Sequence, residues 1–275
     1  MLTIFVIVFI NLVGFGIIIP LLPFYGEHYG ASPDKVTAIM ATYSLFQFLF
    51  APIWGYISDR VGRKPILIIS LLGTIIAYLL LAMAPNLIWL FVARAIAGIM
   101  AGSISAAFAF MADITTREDR TKGMGIIGSA FGLGFIAGPA IGGFLAGGDI
   151  NNTNFQVPAY YAAGFAALAS IFSVFFLRES LPAIKRQNWQ LRFKPIQSLK
   201  AISLKLPPDV KYILYLTFFA ISVFAALEST FAMWTERNFS WGVEQNGYIF
   251  AYSGIISSII QGFFVVPMAK KLGVK

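Results

Sequence analysis

The sequence predicts an all-α polytopic membrane protein, a bundle of helices that cross the bilayer. Three observations carry this. Of the 275 residues, 58% are hydrophobic and only 12% charged, against about 25% charged in a soluble domain. The apolar residues gather into successive runs, each close to the ~20 residues a helix needs to span hydrocarbon. The Lys and Arg residues, 20 in all, sit in every second connection or at the C-terminal end, except for Lys35, Arg94 and Arg237. The positive-inside rule then places both termini and the basic loops in the cytoplasm. The net charge of +8 is thereby explained through contact with anionic lipid, which leaves no reason to invoke nucleic acid.

Eight spans are expected. The first covers 2–25 and carries Asn11 near its middle; it has no basic leader and no small-residue cleavage site, so it reads as a retained helix. The second, 36–57, holds Gln47 and ends in the turn Gly55–Lys64, GYISDRVGRK. Asp59, Arg60, Arg63 and Lys64 cannot lie in hydrocarbon, so this turn belongs at the water interface. The third covers 65–84. The fourth, 87–112, contains Arg94 about 10 Å inside its start at 1.5 Å per residue. The fifth is 123–146 and the sixth 158–177. A long basic connection follows, with Trp189, Leu191, Phe193, Ile196, Leu199 and Ile202 interleaved among its charges, the pattern of a segment lying on the inner leaflet. The seventh span, 212–234, contains Glu228; the eighth, 247–269, contains Gln261. Three parts result: an N-terminal bundle of six helices over 1–178, a cytoplasmic linker over 179–211, and two further helices over 212–275.

Polar groups inside the runs mark candidate sites. An ionisable residue in a membrane helix is costly and tends to face a cavity or a partner. Arg94 and Glu228 are therefore expected at a central cavity, with Asn11, Gln47 and Gln261 as polar contacts or inter-helix hydrogen bonds. Gly134, Gly138 and Gly142 recur every four residues on one face, and Gly98 and Gly102 form a shorter stripe; such faces let helix backbones approach closely. Pro139 removes a backbone donor, so a bend is expected beside the glycine face.

The turn G-x-x-x-D-R-x-G-R-K after the second span, built on Gly55, Asp59, Arg60, Gly62, Arg63 and Lys64, resembles the signature loop of the major facilitator superfamily of secondary transporters. Arg94-x-x-x-Gly98 in the fourth span resembles that family's next element. Gly134-x-x-x-Gly138-Pro139-x-x-Gly142-Gly143 in the fifth resembles the motif of its proton-coupled drug antiporters. The first span, with Gly14, Gly16, Pro20 and Pro23, is similar to the tetracycline and multidrug exporter branch, as are Ala112-Asp113-Ile114-Thr115 and Arg178-Glu179-Ser180-Leu181. That branch commonly carries an aspartate where this chain has Asn11. An amide cannot release a proton, so no coupling role is expected there.

The resemblance implies a fold of two related six-helix halves, the second represented here by two helices. Lys270-Lys271-Leu272-Gly273-Val274-Lys275 looks like a degenerate second copy of the signature loop. It also implies proton-coupled export of small organic compounds or drugs by alternating access, with protons as the coupling ion. Arg63 and Asp113 are expected to pair, within a loop that latches one conformation. Within transport, the alternative is uptake or exchange of a sugar, an organic acid or a peptide. Outside it, the alternative is a non-transporting fragment. Alone, the chain is expected not to transport, and to depend on a complementary polypeptide or a second copy. No cofactor and no metal is expected, because the chain has no cysteine and a single histidine, and paired carboxylates do not recur in the runs. An enzyme is not expected. Gly123-Met-Gly125-Ile-Ile-Gly128 fits the dinucleotide pattern by letter only, since no strand precedes it.

Overall fold

A computed structural model describes residues 1–117, 119–149, 153–182, 184 and 206–260. The elements in order are α1 (Leu2–Ile18), α2 (Leu21–His28), α3 (Pro33–Val61), α4 (Arg63–Ala82), α5 (Leu87–Ile99), α6 (Gly102–Ile114), α7 (Arg120–Ala146), α8 (Gln156–Phe176), α9 (Pro208–Phe239) and α10 (Val243–Ile259). Among the described residues, seven helical stretches are long and apolar enough to cross a membrane. The eighth expected span is represented by α10, and the residues beyond 260, Gln261 among them, lie outside the described residues. Most of the predicted linker does too. α9 begins at Pro208, inside that linker, and runs five residues past the expected end of the seventh span.

Two expected single helices are each two. α1 and α2 meet at Ile19 and Pro20, which keep right-handed helical dihedrals. Proline has no N–H to give, so the ladder restarts there. The fourth span breaks at Met100 and Ala101, where no proline stands. The break is held from outside: Ser70 Oγ on α4 donates to the Met100 carbonyl and accepts from the Ser103 N–H at 2.7 Å. Trp54 Nε1 on α3 donates to the Ile99 carbonyl. In hydrocarbon each freed backbone group must find such a partner.

Two buried clusters fill the interior. One lies toward the side bearing the Asp59–Lys64 turn (the basic side). It joins Ile4, Ile7, Val8 and Leu12 of α1 with Ile66, Leu67 and Leu71 of α4, and with Phe110 and Met111 of α6. The other lies toward the opposite side and joins Ile17, Leu21 and Leu22 with Leu81, Ala159 and Ala162. α8 packs against both α4 and α1, and small residues dominate its buried positions: Ala159, Ala162, Ala163, Ala166 and Ala169. α10 packs along α7. α9 touches the rest near its far end, where Met233 is buried against Ala31, Val36 and Leu87. From Tyr212 to Leu227 every residue of α9 is exposed.

Candidate functional site

α7, α9 and α10 enclose a cavity of about 430 Å³, a size suited to a small organic ligand. Phe131 and Phe135 of α7, Phe224 and Phe231 of α9, and Phe250 of α10 line it. Gly128 and Gly132 also line it, with open space where a side chain at Gly128 would stand, and Ser253 and Ser257 bring hydroxyls. Glu228 is the one charged side chain among the described lining residues. A lone carboxylate among aromatic faces suits a ligand that is apolar in body and cationic at one point, because ring faces and carboxylate both attract positive charge. It also offers a place for a proton.

Of the four described polar groups expected around a cavity, Glu228 is the one that lines this one; Gln261 lies outside the described residues. Arg94 does not line it. It is 5% exposed and lies between α3 and α4, its guanidinium carbon 4.4 Å from the Tyr43 ring centre. Nε has no hydrogen-bond partner. The Tyr43 ring therefore offers the guanidinium a π face, but no carboxylate pairs with it among the described residues. Glu228 lies within electrostatic reach of it without contact. Asn11 borders two small voids inside the bundle, both shared with Ser103, and its Oδ1 is buried without a partner. Gln47 is half-buried on α3.

The charged turn is tighter than the sequence implies. α3 runs through Val61 and α4 starts at Arg63, so the reversal is made by Gly62 alone, at φ 116° and ψ 165°. A side chain at that dihedral would be strained. Arg63 is the hub. Its Nη1 lies 2.6 Å from Asp59 Oδ1, and its Nε donates to Asp113 Oδ2 at 3.0 Å. The pairing expected of Arg63 and Asp113 is thus present. Arg60 donates to the Tyr56 carbonyl at 2.8 Å with its guanidinium over the Tyr56 ring, and Lys64 Nζ donates to the Val174 carbonyl at 2.7 Å. Gly55 sits in open space.

Sequence reasoning missed the residue that seats this network. Glu179 accepts from the backbone N–H groups of Arg63 at 2.8 Å and Lys64 at 3.2 Å, capping α4. A carboxylate there also meets the positive end of the helix dipole. Ser180 donates to Asp113 Oδ2 at 3.1 Å. The signal was present in the Arg178–Leu181 motif, but not what it touches. The aromatic wall was missed as well, although Phe224, Leu227, Glu228 and Phe231 share one helix face by their spacing.

The glycines divide between two neighbours. A side-chain carbon at Gly134 would fall 2.6 Å from Leu12 Cβ, and one at Gly138 would fall 2.6 Å from Gly16 Cα; Gly142 faces the Ile17 backbone. That stripe seats α7 on α1. Gly143 departs from it and faces the Val243–Glu244 backbone of α10, while Gly247 of α10 faces Pro139 and Gly143 in return. Gly98 lies against Tyr43 and Phe46, and Gly102 against the Trp54 ring, which clamps both arms of the broken fourth span to α3.

Known proteins resemble this chain in sequence and in fold. The chain is 34% identical over 275 residues to the class E tetracycline resistance protein of Escherichia coli, covering 98% of this chain and 65% of the relative. It is 30% identical over 279 residues to multidrug resistance protein 2 of Bacillus subtilis (strain 168), covering 99% and 68%. The solved structure of the human organic anion transporter MFSD10 (TETRAN) superposes with a TM-score of 0.71 at 26% identity, over 95% of this chain and 70% of that one. The chain thus spans about two thirds of the length of these relatives. Residues 4–275 match the family described as the Major Facilitator Superfamily, and the chain, a multi-pass helical membrane protein, belongs to that superfamily.

Proposed function

We propose that the chain forms the cargo-binding part of a proton-coupled exporter of small amphipathic organic compounds. It would work by alternating access in the cell (inner) membrane, with the basic side and both termini in the cytoplasm. The observation that carries this is Glu228, the single charged group among the described residues of the aromatic wall between α7, α9 and α10. A cationic cargo and a proton would compete for its carboxylate, so that loading one displaces the other. Opposite flows of cargo and proton follow from that competition once the site faces each side in turn. The names of the tetracycline and multidrug resistance relatives support this cargo class. The Arg63, Asp59 and Asp113 network would fix the relation of α3, α4 and α6 at the basic end. The paired glycine faces of α7, next to Pro139, would let α10 shift against a fixed α1. The cargo is carried without a chemical step, so no enzymatic role is assigned.

Binding tests the reading. Rhodamine 6G, an aromatic cation, should bind the purified chain saturably. Other amphipathic cations and tetracycline should compete with it. Glu228→Gln should weaken binding about tenfold, the worth of one charge-assisted contact. Competition by a sugar or a dipeptide, with none by the cations, would sink the proposal. Orientation is checked by labelling single cysteines in this cysteine-free chain. Ser32→Cys should react from outside intact cells and Thr116→Cys should not; both are exposed positions on opposite sides.

A further inference from the structure

α10 covers one end of the cavity-lining face of α7 and leaves the other open. A side-chain carbon at Gly143 would fall 3.0 Å from the Glu244 backbone, Gly247 faces the Pro139 backbone, and a side-chain carbon at Gly254 would fall 2.6 Å from Ile136 Cγ1. As the numbers rise along α10 they fall along α7, so the two helices are antiparallel. Gly128 lies about 12 Å closer to the start of α7 than Ile136, at 1.5 Å per residue. It shares a helical face with Phe135 and Pro139 by its spacing. It lines the cavity, and no described residue lies within 4 Å of where its side chain would stand. We infer that Gly128 sets the size limit for cargo, keeping clear the space in which the aromatic body of a bulky cation lies while its charge meets Glu228.

Helix energetics give the open glycine its meaning. Glycine weakens a helix relative to alanine, because it has more backbone freedom to lose. Gly134 and Gly138 offset that loss through close approach to α1. Gly128 meets no described neighbour that a methyl group would displace, so what glycine preserves there is the space itself. This role rests on the cationic cargo proposed above.

The cavity has two unlike ends. α7 and α9 both run away from the basic side, since the far end of α9 packs on Ala31, Val36 and Leu87. Gly128 and Phe131 of α7 and Phe224 of α9 therefore share its basic end, and Pro139 and Phe231 its other end. Glu228 stands between Phe224 and Phe231, about 6 Å along α9 from Phe224. Beyond it, close backbone approach at Pro139, Gly143 and Gly247 shuts the far end. A long ligand anchored at Glu228 thus extends toward Gly128. A side chain at position 128 would take the space that a long ligand needs and leave that of a short one.

Two aromatic cations of different size, rhodamine 6G and the smaller N-methylquinolinium, titrated into the purified chain, test this. Gly128→Leu should weaken rhodamine 6G about tenfold or more, as overpacking does, and leave N-methylquinolinium within about twofold. The thermal midpoint of Gly128→Leu in detergent should not fall, because leucine favours the helix and displaces no described neighbour. Gly164→Leu on α8 should change neither affinity, since Gly164 also has no described residue within 4 Å and is not among the cavity-lining residues. Rhodamine 6G binding that Gly128→Leu leaves unchanged, or equal weakening of both cations, would overturn the role of Gly128 alone. Failure of both cations to bind the unaltered chain would overturn the cargo class, and this role with it.

Discussion

Ser70 shows how one hydroxyl can decide the path of a span 30 residues away. It satisfies two of the backbone groups freed at the break between α5 and α6, the Met100 carbonyl and the Ser103 N–H. Ser70→Ala should cost roughly 2 kcal/mol, because a buried donor and acceptor lose their partner together. Thermal unfolding in detergent would register this as a clear fall in midpoint, and an unchanged midpoint would mean that the break satisfies itself. Arg63 and Asp113 allow a sharper test, since they meet across 50 residues of sequence. Reversing either charge alone should destabilise the basic end. Exchanging them, Arg63→Asp with Asp113→Arg, should recover part of the loss through a coupling of about 0.5–3 kcal/mol. Additive losses would show that the pair is incidental. At this scale the charged turn was legible in the sequence because residue types and spacing were both distinctive. Glu179 was recognisable as part of a motif but not as a cap, since capping depends on a contact with Arg63 that spacing does not reveal. Arg94 stood out on cost alone, whereas its contact with the ring of Tyr43 depends on packing that spacing does not reveal.

Among the elements, α7 holds the fold and its cavity together. One glycine face seats it on α1 and another receives α10. With little hydrophobic drive between helices in lipid, close backbone approach carries the association. The two faces should therefore fail differently. Gly138→Leu must push α7 off the α1 backbone, an overpacking worth about 1–3 kcal/mol or more, and should lower stability. Gly143→Ala presses on Glu244 of α10, with its new carbon 3.0 Å from that backbone. It should leave the α1–α8 core folded while changing affinity at the cavity. Equal loss of stability in both, with affinity unchanged, would remove the distinction. The four-residue glycine repeat was legible and the second face was not, because Gly143 has no periodic partner within its own helix. The division of the first span could have been read from Pro20. That of the fourth could not, since its partners Ser70 and Trp54 lie on other helices.

For the whole molecule, hydropathy and the sidedness of the basic residues carried the all-helical membrane architecture, because the bilayer imposes length and charge rules on every span. Neither rule says which aromatic rings converge. The cavity wall is assembled from three helices whose order in space follows from packing, so among its described residues Glu228 was the one expected at a cavity beforehand. In the proposed cycle this carboxylate holds either cargo or proton. Calorimetric titration of rhodamine 6G into the purified chain, in two buffers of different ionisation enthalpy, measures the protons released on binding. Proton release on binding is expected, with affinity that falls as pH is lowered and neither effect in Glu228→Gln. Binding without proton release, or release unchanged in Glu228→Gln, would contradict it.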